Sequence, residues 1–78
     1  MSVTLRYWAA AQAASGVEAE EVEAGRVADI LAAATTRHPD LARVVPVASV
    51  LLDGSPARGE AEVADGATVE ILPPFAGG

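Results

Sequence analysis

The chain has no cysteine and no lysine, and only one histidine. Without cysteine there can be no disulfide, no cysteine-ligated zinc and no thiol nucleophile, so the core must hold without covalent staples. At 78 residues the chain makes one small domain, which buries its core with little to spare. The single histidine, His38, gives almost no support to a metal cluster or a Ser-His-Asp triad. Standing before Pro39, it reads as a solvated residue near a helix C-terminus, where a cation is welcome. No run approaches eighteen apolar residues; the longest, residues 44–52, is broken by Pro46 and Ser49. The first residues show no basic flank, apolar h-region or small-residue cleavage site, so a soluble, cytoplasmic protein is expected, with no membrane partner. A Gly-rich phosphate loop and metal-ligand spacing are also missing, so no metal and no permanently bound cofactor are expected.

Positive charge is scarce and comes only from arginine: five basic residues face eleven acids, for a net charge of −6. Nucleic-acid binding requires clustered positive charge to neutralise phosphates, and the sequence offers none. The acidity fits either a partner with a basic surface or simple solubility of a small domain. The absence of lysine has a chemical consequence. Were the C-terminal carboxylate activated, only the N-terminal amine could attack it from within the chain.

Hydrophobic periodicity places the elements. Val3, Leu5 and Tyr7 alternate with Thr4, Arg6 and Trp8, as in a half-buried strand whose first set faces the core. Trp8 then either stands exposed as a binding anchor beside Arg6 or folds back onto the core edge. Residues 9–15 read as a two-turn, alanine-rich helix ended by Gly16. Residues 17–24, with Glu18, Glu20, Glu21 and Glu23 around Val22, read as a charged edge strand. Those carboxylates have no evident buried partner or nucleophile nearby, so a solvated edge is expected. From Arg26 to about Arg37, Val27, Ile30, Leu31 and Ala34 form one apolar stripe, the main helix, which ends before Pro39. A short helical turn over residues 40–45 leads to a strand over 47–53, and Asp53-Gly54-Ser55-Pro56 signals a turn. Residues 57–63 are weakly strand-like, with Glu60 and Glu62 toward water. Asp65-Gly66 turns the chain into a last strand over 67–72, where Val69 and Ile71 face the core. Thr68, Glu70 and Leu72 face away from it.

This order reads as α+β, one sheet packed on one helix. A central, parallel pairing of the first and last strands would bring Trp8 and Leu72 together on the sheet's open face. Beyond Leu72 the sequence runs Pro73-Pro74-Phe75-Ala76-Gly77-Gly78. The prolines favour an extended exit, and two final glycines close no turn and cap no helix. Either they fray, as termini commonly do, or they carry a carboxylate into a narrow cleft as a reactive group.

The stretch from Asp65-Gly66 through the apolar strand, the double proline and the terminal Gly-Gly resembles the MoaD/ThiS family of β-grasp, ubiquitin-like sulfur carriers. Val3-Thr4-Leu5-Arg6-Tyr7-Trp8-Ala9-Ala10 is similar to that family's first strand and short helix. Pro-Pro-Phe-Ala-Gly-Gly resembles the molybdopterin synthase small-subunit branch more than the thiamine branch. The resemblance covers essentially the whole chain and departs from the family around Gly25-Arg26, where the threonine often capping the main helix is missing. It implies a β-grasp fold with a mixed sheet of four to five strands on one main helix. It implies one domain over residues 1–78, with a flexible tail over 73–78. It also implies that Gly78 is adenylated by an E1-like enzyme using ATP, then converted by a sulfurtransferase to a thiocarboxylate. Pro73, Pro74, Phe75, Ala76 and Gly77 would thread into partners, and Trp8, Leu72 and Arg6 would form the docking surface. In the molybdopterin branch the partner is the large subunit, in a heterotetramer of two large and two small subunits. The catalytic groups there would lie on the large subunit, with sulfur passing to cyclic pyranopterin monophosphate. Other clients (cysteine, thiamine or another thiolated metabolite) and a protein-modifier role remain alternatives.

Overall fold

The computed structural model describes residues 2–74, and its centre is a pair of parallel strands from opposite ends of the chain. Strand β1 (Val3–Tyr7) and the last strand pair in register from Thr4–Thr68 to Tyr7–Ile71. Parallel neighbours need a long crossover, and everything between them supplies it. The crossover begins with helix α1 (Ala10–Ser15), closed by Gly16 at φ 80° in the left-handed region, where a Cβ would be strained.

Strand β2 (Ala19–Val22) returns antiparallel beside β1, from Val3–Val22 to Arg6–Ala19. A two-residue strand β3 (Gly25–Arg26) leads into helix α2 (Val27–Arg37), whose Arg26 N-cap makes no side-chain capping bond. Two 3₁₀ turns follow, Pro39–Arg43 and Val45–Val47. Strand β4 (Ser49–Leu52) pairs with the last strand, and β5 (Ser55–Pro56) with β4. Strand β6 (Glu62–Val63) pairs with β3, and β7 (Thr68–Leu72) closes the described chain. The five-stranded sheet therefore runs β2-β1-β7-β4-β5, with β3 and β6 as a separate two-stranded ribbon.

The core forms where the two periodicities meet. Val3, Leu5, Tyr7, Val69 and Ile71 come from the central strands, and Val27, Ile30 and Ala34 from α2. Leu41, carried by the 3₁₀ turn after α2, is fully buried; burial of such a side chain is worth about 1.5–3 kcal/mol. Leu31, expected on the helix stripe, is only partly buried against this core.

Three expectations about the elements require correction. The strand expected over residues 47–53 covers only Ser49–Leu52, because Pro46 sits in the first turn of a 3₁₀ helix that takes Val47. Asp53-Gly54-Ser55-Pro56 is not all turn. Asp53 at φ 49° and Gly54 at φ 86° make a two-residue hairpin, the geometry whose twist matches paired strands, and Ser55 and Pro56 already belong to β5. The weak strand over residues 57–63 shrinks to Glu62–Val63, pinned by Val27 N–H donating to the Ala61 carbonyl at 3.0 Å.

Candidate functional site

The face of the sheet away from α2 is fixed by register. Arg6 lies opposite Glu70, Leu51 opposite Glu70 from the other side, and Leu72 opposite Ser49. Since Ile71 and Val69 are fully buried on the helix side, pleat alternation turns Glu70 and Leu72 outward, and Arg6 and Leu51 with them. Parallel pairing also sets the ends: β1 and β7 finish at the same edge, where Trp8 N–H donates to the Ile71 carbonyl at 3.2 Å. The tail therefore leaves from the centre of the sheet, beside Trp8.

Trp8 resolves in favour of the open face. It is 40% exposed, and its indole N–H donates to Glu70 Oε2 at 2.9 Å. The Arg6 guanidinium carbon stands 5.4 Å from the ring centroid, and Arg6 also pairs with Glu18 at 3.4 Å. The cation over the ring contributes about 0.5–1 kcal/mol at such an exposed site. The ring is thus fixed on the open face by one hydrogen bond and one cation contact.

Trp8, Arg6 and Leu72 share this region, as the sequence analysis expected. Leu51 joins them and was missed, and Glu70, expected to face away from the core, joins them as the hydrogen-bond partner of Trp8. Leu51 lies in an unbroken apolar run, Val50-Leu51-Leu52, where alternation carries no signal; Glu70 acquires its part only through the β1–β7 register. Pro73 is buried and Pro74 exposed, so packing continues one residue past β7. Phe75, Ala76, Gly77 and Gly78 lie outside the described residues.

A second polar cluster corrects two expectations. Glu20 was expected on a solvated edge, but the Leu5–Glu20 pair places it on the helix side of the sheet. There its Oε2 accepts from the Tyr7 hydroxyl and from Arg37 Nη2 at 3.0 Å, with His38 Nε2 also 3.0 Å away. Burial works to raise the Glu20 carboxyl, but the bonds from Tyr7, Arg37 and His38 outweigh it and hold the group below its ordinary value. Burial, then the hydrogen bond to Glu20, pushes the Tyr7 hydroxyl well above its usual range. His38 is no freely solvated helix-end residue: its ring meets Tyr7 edge-on at 5.9 Å and its side chain is only 19% exposed. The cluster ties β2 and the end of β1 to the end of α2. On the opposite face of β2, Glu21 accepts from Ser2 and Thr4, and those hydrogen bonds lower its carboxyl.

Among the described residues, no group of acidic, histidine or cysteine side chains is arranged to hold a metal, and no helix is long and apolar enough to cross a membrane. The arrangement sets an outward-facing patch of Arg6, Trp8 and Leu72 at the end of the central strand β7, from which the chain runs on to Pro73 and Pro74.

A mixed five-stranded sheet on one main helix, with parallel terminal strands at its centre, is the β-grasp fold of ubiquitin-like proteins. The ThiS family model matches residues 5–78, so the chain belongs to the ThiS family, a group of β-grasp sulfur carriers. Among solved structures, small archaeal modifier protein 1 of Haloferax volcanii is 26% identical, over all of both chains, with a TM-score of 0.86. A chain of the BexX/CysO complex of Amycolatopsis orientalis is 28% identical, over 99% of this chain and 100% of that one, at 0.82. A chain in the complex of subunits 1 and 2 of the molybdopterin-converting factor of Helicobacter pylori is 22% identical, over 100% of both, at 0.73. No curated protein sequence matches the chain.

Proposed function

We propose that the chain is the sulfur-donating small subunit of a molybdopterin synthase, with the carboxylate of Gly78 as the carrier group. The observation that carries this reading is the join between fold and tail. The central strand β7 runs directly into Pro73-Pro74-Phe75-Ala76-Gly77-Gly78, and the Trp8 face lies at that strand's end.

The chemistry follows from the terminal group. A C-terminal carboxylate has an ordinary pKa of roughly 3.5 and is ionised at neutral pH, which makes it a poor electrophile. Its oxygen attacks the α-phosphorus of ATP on an E1-like enzyme, pyrophosphate leaves, and the acyl group becomes an acyl-adenylate. A cysteine persulfide on a sulfurtransferase then displaces AMP to form an acyl disulfide. A second thiol cleaves its S–S bond, leaving the thiocarboxylate on Gly78 while that thiol and the sulfurtransferase cysteine form a disulfide. In the large subunit that sulfur passes to cyclic pyranopterin monophosphate. A dithiolene needs two sulfurs, so two loaded carriers serve each pterin. Gly77 and Gly78 add no Cβ, so two unrelated enzymes can close around the same backbone. This chain contributes the sulfur and the docking face; its partner contributes the catalytic groups.

A second reading keeps the fold and changes the client. The likeness to an archaeal modifier protein and to a chain of the BexX/CysO complex favours protein modification or sulfur delivery to another metabolite. Reconstitution separates the two. Thiocarboxylated chain mixed with a molybdopterin synthase large subunit and cyclic pyranopterin monophosphate is expected to yield molybdopterin at two carriers per product. Failure with large subunits that accept their own carriers, together with transfer to a different acceptor, would replace this proposal with the second reading.

A further inference from the structure

The second outer edge of interest lies away from the Trp8 face. Strand β2 ends the sheet, and among the described residues no strand covers its outer side. The pairing decides which backbone groups point outward. Tyr7 N–H donates to the Glu18 carbonyl at 2.9 Å, and antiparallel ladders alternate bonded and non-bonded pairs. With the register of Leu5–Glu20 and Val3–Val22, Glu20 and Val22 aim their amides and carbonyls at β1. Ala19 and Glu21 aim theirs at solvent. An open row of alternating donors and acceptors is a template for one more strand.

Beside that edge, between β2 and α2, runs an open groove of about 680 Å³. Val22, Ile30 and Ala33 line it with apolar surface, and Glu20, Glu21, Glu23 and Asp29 bring negative charge. Among the described lining residues the one positive charge, Arg37, is paired with Glu20 at 3.0 Å. A strand added to β2 would drop every second side chain into this groove. We propose that the β2 edge and the β2–α2 groove together bind an extended partner segment of alternating apolar and basic residues, by strand addition.

Charge selects the occupant. A second copy would have to bring its own Glu18, Glu20, Glu21 and Glu23 against the same residues, in a chain of net charge −6. Like charges facing across a strand pair are destabilising. Glu18, Glu20 and Glu21 already accept from Arg6, from Arg37, and from the Ser2 and Thr4 hydroxyls, so a basic segment gains chiefly from Glu23 and Asp29. Four residues of β2 span about 13 Å at 3.3 Å per residue, which matches a segment of four to five residues, about the ordinary strand length. Because the groove lies on the helix side of the sheet, its occupation leaves Trp8, Leu72 and the tail free for another partner.

The test is a backbone amide NMR titration of the whole chain with a capped decapeptide of alternating valine and arginine. Its controls are a peptide of equal charge interrupted by proline and a valine–glutamate peptide. Expected are shifts confined to residues 19–25 and 29–37, with binding at least tenfold weaker for either control. Ala19→Pro removes an outward N–H without touching the β1 ladder, and should weaken binding at least tenfold while spectral dispersion shows an intact fold. Asp29→Arg, an exposed change on α2, should do the same should Ala19→Pro not fold. Equal binding by the proline-interrupted peptide, shifts centred on Arg6 and Trp8, or self-association through β2 would each overturn the proposal.

Discussion

Replacing Glu20 with alanine should cost this domain a large share of its stability although the residue lies at a strand edge. One carboxylate oxygen serves three groups: the Tyr7 hydroxyl, Arg37 Nη2 at 3.0 Å and His38 Nε2 at 3.0 Å. The Arg37 side chain is 39% exposed, so its pair falls in the surface range of about 0–1 kcal/mol. Tyr7 is different. The residue is only 1% exposed, and stripping the acceptor from a buried hydroxyl costs about 1–3 kcal/mol. Together the loss is about 1–4 kcal/mol, which for a domain this small lowers Tm by roughly 4–30 °C. Urea unfolding followed by far-UV circular dichroism measures it, and Tyr7→Phe in a double-mutant cycle isolates the shared bond. The sign with pH is fixed as well. The folded Glu20 carboxyl sits below its ordinary value of 4.5, so its contribution is fully present above pH 4.5 and disappears as pH falls through the lower folded value. The gap between wild type and Glu20→Gln should therefore close in acid. A change below about 0.5 kcal/mol for Glu20→Ala, or a gap that persists at low pH, would refute this account of the cluster.

Two further substitutions probe the docking face and the hairpin. Trp8→Ala should alter stability by no more than about 1–2 kcal/mol, since it removes an exposed ring, one cation contact and one exposed hydrogen bond to Glu70. Its affinity for the large subunit should nevertheless fall by about 2 kcal/mol or more, as expected of an interface anchor, and calorimetry on the loaded complex reads both. Gly54→Ala should destabilise by about 1 kcal/mol, because φ 86° strains any residue with a Cβ. Thermal melts check this, and an unchanged Tm would contradict the hairpin geometry.

The parts of this fold legible in the sequence are those governed by local rules. Val3, Leu5 and Tyr7 in β1, Val69 and Ile71 in β7, and Val27, Ile30 and Ala34 in α2 announce their buried faces by periodicity alone. Gly16 and Pro39 mark the helix ends by their own backbone limits. Pro46 was visible but underweighted: it lies in an apolar, β-branched stretch, and its preference for the first turn of a 3₁₀ segment overrode strand propensity there. The Glu20 cluster was illegible for another reason. Its members stand at positions 7, 20, 37 and 38, and only the β1–β2 register and the end of α2 bring them together. Leu51 and Glu70 join Arg6 on the open face of the sheet through the same kind of long-range pairing. The tail motif, by contrast, is plain in the sequence.

The proposed function rests on Gly78 carrying sulfur. Intact-mass analysis of the chain, incubated with ATP, an E1-like activating enzyme and a sulfur source, tests it directly. The account predicts an oxygen-to-sulfur mass increase that fragmentation places on Gly78, dependent on ATP and absent in Gly78→Ala. An unchanged mass under conditions that load another member of the ThiS family with sulfur would contradict it.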